Sequence, residues 1–411
     1  ADKEARRSQQ RQAFEPIFGE HPEIKAATIN GCSEAAWLEN IEKGIENSGF
    51  KIGKRLLRAF HTSLKTQDIS PLTLLVGISG TGKSELPRLY ADFGGLYFLP
   101  IAVQPNWDSP LDLFGFFNYA DGNFRSTELT RAMLQFVDPK SPASLEDRLM
   151  LVLLDEMNLA RVEYYFSDLL SRLESRRSVL LTGNPTPEQR LRATVKLDLG
   201  KSASDDTEQC DRLFLAPNVL FAGTLNQDES TLDVSDKVMD RANVVTFPRP
   251  GEFVCTFGKR SRKATEVSSH KLNCEVWERW CEPAFKTNAP DQDQSDLVAN
   301  LNEKFGKINE ALALVNRGVG QRVFQAVLRY ILLYPRAGDG EEAIEKARKD
   351  ARADQFAMKI IPKLKGLDTR SGKAAQCIKE IRRLVPEELH KTFDASKERE
   401  LFEWQGTVFD E

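Results

Sequence analysis

Leu72-Thr-Leu-Leu-Val76-Gly77-Ile-Ser79-Gly80-Thr81-Gly82-Lys83-Ser84 is the stretch that decides the fold. It opens on a short apolar, partly β-branched run, as expected of a strand buried on both faces. It closes on a complete G-x-x-x-x-G-K-S. Glycines in that pattern let backbone N–H groups turn inward around phosphate oxygens, and the following helix presents its positive end to the same anion. Gly77, Ser79, Gly80, Thr81, Gly82, Lys83 and Ser84 are therefore the candidate nucleotide ligands. Lys83 neutralises the β and γ phosphates, and the Ser84 hydroxyl is a candidate Mg²⁺ ligand. A glycine-rich turn without ligand is the bland alternative. The strand before the loop and the helix after it argue against that.

Working outward, further apolar runs at Leu96–Ala102, Leu149–Leu154, Val219–Gly223 and Ala242–Phe247 read as strands. Helical spacing at Ser84–Phe93, Ser126–Phe136 and Tyr164–Arg176 lies between several of them, and that alternation predicts a parallel α/β sheet. Upstream, Ala35 to Leu64 reads as two helices joined near Ser48-Gly49. Downstream of Pro248-Arg-Pro250 the strand signal fades, and Val276–Phe285, Leu297–Leu314, Arg322–Leu333, Glu341–Lys363 and Gly372–Leu384 read as helices. A composition shift at such an element marks a domain boundary. The expected organisation is an irregular or loosely docked arm over 1–36, an α/β nucleotide-binding domain over 37–250 and a helical domain over 251–411. Polar stretches at Lys201–Asp211, Lys259–His270 and Thr287–Ser295 read as surface loops.

Two of the strands end in chemistry. Leu151-Val-Leu-Leu-Asp155-Glu156 finishes on adjacent carboxylates. Asp155 at such a strand end can hold Mg²⁺, directly or through water, and Glu156 can polarise the attacking water. Leu220-Phe-Ala-Gly-Thr-Leu-Asn226 ends in an amide that can orient the same water. Alone, a lone Asn after a strand is a turn residue. The order phosphate loop, Asp-Glu, strand-Asn favours the functional reading.

The 411 residues suffice for two or three domains, with 41% hydrophobic and 29% charged residues in an ordinary soluble balance. No apolar run approaches the roughly 18 residues that span a bilayer, and the charged N-terminal stretch has no apolar signal-peptide core. No membrane role is expected. A net charge of −4 gives no global field toward nucleic acid, so DNA contact falls to a local patch or another polypeptide. The basic cluster Lys259, Arg260, Arg262, Lys263 reads better as a solvated loop. Six cysteines contain no C-x-x-C pair, and His270, Cys274, Cys281 and Cys255 match no common zinc spacing. Reduced, non-ligand cysteines point to the cytoplasm.

The order of motifs resembles the AAA+ superfamily. The local wording resembles its McrB-type branch, close to the dynein-related and MoxR-like proteins. The residues that carry this are Gly77–Ser84 with Glu85-Leu-Pro-Arg-Leu-Tyr90, then Asp155-Glu-Met-Asn-Leu-Ala-Arg-Val-Glu-Tyr-Tyr-Phe-Ser-Asp168, then Ser235-Asp-Lys-Val-Met-Asp-Arg-Ala-Asn243. The resemblance covers roughly Ile52 to Gly366 and implies an AAA+ P-loop NTPase core, its parallel sheet sandwiched by helices, with a C-terminal all-α lid. It implies Mg²⁺ with ATP or GTP, and a homo-oligomeric ring, the hexamer of such motors. It also implies a McrC-like nuclease partner in restriction or antiviral defence, and DNA reached through the assembly.

By the same resemblance Arg241 matches an arginine finger for the next subunit's nucleotide. Such a finger is worth on the order of 10³–10⁵ in rate. The alternative is a surface salt-bridge arginine. Arg322, in Gly318-Val-Gly-Gln-Arg322, resembles the lid arginine that contacts the γ-phosphate, against an ordinary helix-start arginine. Asn106-Trp-Asp108 through Phe114-Gly-Phe-Phe117 resembles a segment whose aromatics line a pore or contact a partner; core packing reads equally well. Gln355–Gly366 resembles the close of the lid.

Asn226-Gln-Asp-Glu-Ser-Thr231 departs from the Asn-Thr-Ala-Asp-Arg type of signature, which leaves ATP against GTP open. No domain reading modified DNA is expected in residues 1–50, and no P-D…D/E-x-K nuclease arrangement is found. Two other functions compete with the restriction motor: a MoxR-like ATPase remodelling proteins, and a nucleotide-locked structural ring. The pair Asp155 and Glu156 weighs against the last.

Overall fold

The computed structural model describes residues 14–19, 28–29, 31–137, 143–177, 179, 186–199, 211–227, 232, 234–247, 270–282, 292–338, 340–370, 372–398, 400–404 and 406. The basic cluster Lys259, Arg260, Arg262, Lys263, the Pro248-Arg-Pro250 element, Cys210, Cys255 and most of the polar stretches over 201–211 and 287–295 lie outside them. Among the described residues no helix is long and apolar enough to cross a membrane.

The five strands expected from the apolar runs form one parallel sheet. They are β1 (Leu72–Gly77), β2 (Tyr97–Ala102), β3 (Met150–Asp155), β4 (Val219–Asn226) and β5 (Ala242–Thr246), in the order β5-β1-β4-β3-β2. Ala242 pairs with Leu72, Tyr97 with Met150, and Met150 with Val219. Every residue of β1 is buried, and β3 and β4 are buried up to their last residue. Continuous apolar runs are what strands covered on both faces require. The fold is α/β, with a helical C-terminal segment.

The chain divides into two compact units, one formed by 1–32, 87–239 and 266–278, the other by 33–86, 240–265 and 279–411. In the first, the helix Ser167–Ser175 buries Leu169, Leu170 and Leu173. The fully buried Arg176 beyond it donates to the carbonyls of Ala216 (2.8 Å) and Val219 (3.0 Å), tying that helix to the base of β4. The arm, expected to be irregular or loosely docked, is irregular over 14–19 and is tied down there. Gln135 Oε1 accepts from the Ile17 and Phe18 amides, its Nε2 donates to the Phe18 carbonyl, and the Phe18 ring stands edge-on to Tyr97. A side-chain amide here takes the place of a strand partner. Three short strand pairs were not anticipated: a hairpin of Gly115–Asn118 with Asn123–Ser126, an antiparallel pair of Thr194–Lys196 with Arg212–Phe214, and a parallel pair of Thr28–Ile29 with Lys271–Leu272.

In the second unit, α1 (Glu34–Asn47) and α2 (Lys54–Lys65) bury Trp37, Leu38, Ile41 and Ile45 against Leu56, Leu57, Phe60 and Leu64. Ser33 caps α1 by accepting from the Ala36 amide. The helix α3 (Glu85–Gly94) begins directly after the glycine-rich loop, and from Pro87 onward it belongs to the first unit. Then come α4 (Gln292–Ala313), α5 (Gln321–Leu333), α6 (Glu341–Gln355) and α7 (Gly372–Leu384). The single helix expected over Glu341–Lys363 is interrupted. It passes into a π-helical turn, Phe356–Ile360, and then a 3₁₀ turn, Ile361–Leu364, that contains Pro362. Proline there removes a donor and crowds the preceding turn.

Candidate functional site

In the second unit the loop after β1 is shaped by glycine. Gly80 and Gly82 sit at φ 78° and 88°, the left-handed region that L side chains avoid. At Gly77 a Cβ would stand 3.2 Å from Phe247 Cβ and 3.3 Å from the Phe247 carbonyl, so a larger residue would push on the chain just past β5. Thr81 Oγ1 donates to the Ile78 carbonyl at 3.0 Å. Lys83 is buried, and its Nζ donates to the carbonyls of Gly77 (3.0 Å) and Ile78 (2.6 Å). Those bonds fix the ammonium at the base of its own loop. Ser79 and Gly80 face solvent, while Ser84 is half-buried ahead of α3. The Glu85 and Leu86 amides bond back to the Gly82 carbonyl at 3.1 Å, which starts the helix there.

The same unit carries both candidate arginines. Arg241 is half-buried at the foot of β5, and Arg322 is exposed in the first turn of α5.

In the first unit, Asp155, Glu156 and Asn226 come together. Thr224 Oγ1 donates to Asp155 Oδ1 at 2.6 Å and accepts from the Glu156 amide at 2.8 Å. Asn226 Nδ2 donates to Glu156 Oε1 at 3.1 Å. Asn158 then locks the ends of the two strands: its Nδ2 donates to the Asn226 carbonyl (2.8 Å) and its Oδ1 accepts from the Asn226 amide (3.1 Å). Glu156 itself is left-handed, at φ 56° and ψ 48°. A non-glycine residue held there stores on the order of 1–3 kcal/mol of strain, sustained by the bonds around it. Next along, Glu163 accepts from the Ser235 amide at 2.8 Å. Burial pushes its carboxyl up, but the hydrogen bonds from Ser235 outweigh this and hold it below the ordinary range.

Thr224 and Asn158 were not singled out from the sequence. Thr224 had a readable signal, standing two residues before Asn226 and so on the same face of β4. Asn158 had none: a polar residue in a buried turn shows its partner only in three dimensions.

The donors on offer for a metal are oxygens. Each unit offers an oxygen of the kind Mg²⁺ takes, the Ser84 hydroxyl in the second and the Asp155 carboxylate in the first. Thr224 donates to Asp155 Oδ1 and so fixes the carboxylate at the end of β3. Among the described residues no cluster of three or more His, Cys, Asp or Glu could hold a metal by itself. Cys274 Sγ lies 3.5 Å from Glu278 Oε1, and burial pushes the Cys281 thiol up to about 12, far from a thiolate ligand.

The aromatic segment divides between its two readings. Phe114 is buried and Trp107 stands edge-on to Tyr165, whereas Phe116 and Tyr119 on the hairpin are 50% and 77% exposed.

A family model described as a domain of unknown function (DUF8727) matches residues 275–400. No curated protein matches the sequence. Among solved structures the chain is similar to a protein provisionally assigned as an ATPase from Cytophaga hutchinsonii, at 15% identity and a TM-score of 0.43, over 77% of this chain and 87% of that one. It is also similar to a full-length MCM homolog from Methanopyrus kandleri, at 11% identity and a TM-score of 0.39. That match covers 84% of this chain and 64% of the homolog, so the chain spans less than two thirds of its length. Likeness at this level says nothing of chemistry, which rests on the residues of this chain.

Proposed function

We propose that this chain is a Mg-dependent nucleoside triphosphatase of the AAA+ type, hydrolysing ATP or GTP as one subunit of a ring-forming motor. The observation that carries the reading is the amide of Asn226 on Glu156 Oε1, with Thr224 bridging Glu156 to Asp155. A glutamate aimed by a neighbouring amide at a strand end is arranged to take a proton from water. Mg²⁺, when bound, neutralises phosphate charge and orients the γ-phosphoryl group. In this reading Gly77–Ser84 cradles the phosphates, Lys83 and Ser84 face the β and γ groups, and Asp155 with Ser84 holds the metal. The position of each candidate at the carboxyl end of its own parallel strand supports it, since open α/β sheets bind nucleotides at those ends. Arg241 serves as the finger for the adjacent subunit, and Arg322 senses the γ-phosphate from the helical segment.

The McrB-type resemblance extends the proposal to a hexameric cytoplasmic motor that moves DNA for a McrC-like nuclease in restriction or antiviral defence. The test is hydrolysis of ATP and GTP by purified protein, with and without DNA, alongside its mass in solution with each nucleotide. Glu156→Gln is expected to lower turnover by about 10²-fold or more while nucleotide still binds. Lys83→Ala is expected to weaken binding itself. Full activity in either variant overturns the site. Turnover stimulated by an unfolded protein and indifferent to DNA replaces the restriction motor with a MoxR-like remodelling ATPase.

A further inference from the structure

The π-helical turn Phe356–Ile360 presents Lys359 to the foot of β5. Lys359 is buried, and its ammonium donates to three oxygens: Ser70 Oγ at 3.3 Å, the Asp240 carbonyl at 3.3 Å, and the Ala242 carbonyl. The two carbonyls are those on either side of Arg241. One turn on, Lys363 bonds the Asp240 carboxylate. Both cations thus meet the same short corner of chain, Lys359 through its carbonyls and Lys363 through the Asp240 side chain. Asn243, next along β5, is held by its Nδ2 donating to Thr66 Oγ1 at 2.8 Å.

We propose that Lys359 and Lys363 are positioning residues for Arg241, fixing the backbone corner Asp240–Ala242 so that the arginine leaves it from a set place and direction. This rests on the finger reading of Arg241. A long, flexible guanidinium reaches a phosphoryl group productively only if its Cα is held, because loss of about 1 Å in placement costs up to about 10²-fold in rate. An apolar side chain would fill the space of Lys359 at lower desolvation cost. What the ammonium adds is geometric, three N–H groups meeting three fixed acceptors. Burial pushes Lys359 down to about 7, with Asp240 opposing and Lys363 and Arg322 adding to the fall. The candidate γ-phosphate sensor therefore bears electrostatically on the residue that holds the candidate finger. The helical segment of one subunit is in this way tied to the arginine it offers the next.

The test compares Lys359→Met, Lys363→Met and Arg241→Ala in the full chain, reading kcat, KM and recovery on mixing with Glu156→Gln subunits, which keep an intact Arg241 corner. Lys359→Met is expected to lose about 10- to 100-fold in kcat with KM within about twofold. Lys363→Met follows the same pattern at about 3- to 10-fold. Mixing with Glu156→Gln restores turnover to both, because their own hydrolytic residues are intact and a neighbour supplies the arginine. Wild-type kcat in the lysine variants with a dead Arg241→Ala overturns the positioning role and leaves the finger standing. Loss that mixing does not restore marks general structural damage and also overturns it. Should Lys359→Met fail to fold, Lys363→Met, nearer the surface, decides on the same two criteria. Wild-type turnover in Arg241→Ala removes the finger reading itself, an outcome distinct from the others.

Discussion

Thr224 gives its hydroxyl proton to Asp155 and accepts the Glu156 amide proton, so one side chain sets the angle between the two carboxylates. Thr224→Val keeps the shape and removes both bonds. Asp155 and the Glu156 amide, half-buried, then lose the bonds to Thr224, and the left-handed turn at Glu156 loses that support. The expected outcome is a fall in kcat of about 10- to 100-fold with little change in nucleotide affinity, checked by steady-state hydrolysis beside an equilibrium titration with a fluorescent nucleotide. Equal losses in kcat and affinity would place Thr224 in nucleotide binding instead. Asn226 was legible as a candidate from its place at a strand end. Its bond to Glu156 was not, because the two residues lie far apart along the chain.

At the scale of the element, the glycine-rich loop Gly77–Ser84 is a backbone device. A Cβ at Gly80 or Gly82 meets no heavy atom within 4 Å, so an alanine there is opposed by φ alone. That opposition is about 1–2 kcal/mol per residue, and it is relieved by rotating the N–H groups away from their inward aim. Gly82→Ala is expected to weaken nucleotide binding about tenfold or more while the thermal midpoint shifts by only a few degrees; calorimetric titration beside a melting curve checks both. The helix expected over Glu341–Lys363 shows the opposite case. Its apolar and polar spacing carried on, but Pro362 forces a change of winding, and the π turn before it brings Lys359 to the foot of β5. The hairpin of Gly115–Asn118 with Asn123–Ser126 also escaped notice. Its aromatics suggested either a core or a pore, while its real signature was Asp121-Gly122, with Gly122 at φ 69°.

At the scale of the whole molecule, buried charge makes stability depend on pH. Glu34 accepts from His61 at 2.7 Å and from Lys65, whose ammonium also donates to the Leu333 carbonyl at 2.6 Å. Burial alone raises the Glu34 carboxyl, but the His61 and Lys65 contacts outweigh it and hold the pKa at about 2. A depressed carboxyl stabilises the folded state above its unfolded value of 4.5, and that contribution is lost as pH falls toward 2. Glu34→Gln is expected to cost about 2–3 kcal/mol at pH 7, a gap that closes as the pH is lowered through that window. Urea melts at several pH values check it, and a gap independent of pH would remove the ion pair as its cause. The three residues come from α1 and α2, which were read as helices from spacing alone. Spacing gave no sign that their polar members met.

The sequence by itself determined the five strands, the helices that flank them and the glycine-rich loop, because each is a local pattern: an apolar run, a 3.6-residue period, a glycine where φ must be positive. It also named Asp155, Glu156 and Asn226 as candidates, not from each alone but from the order in which glycine-rich loop, Asp-Glu and strand-Asn follow one another. Only the tertiary structure decided the strand order β5-β1-β4-β3-β2, the pairing of Thr224 with two carboxylates, the docking of Phe18 and the convergence of Lys359 on both carbonyls beside Arg241. Those contacts join residues far apart in the chain, and hydrogen bonds of that kind follow from how apolar elements pack together rather than from any local period.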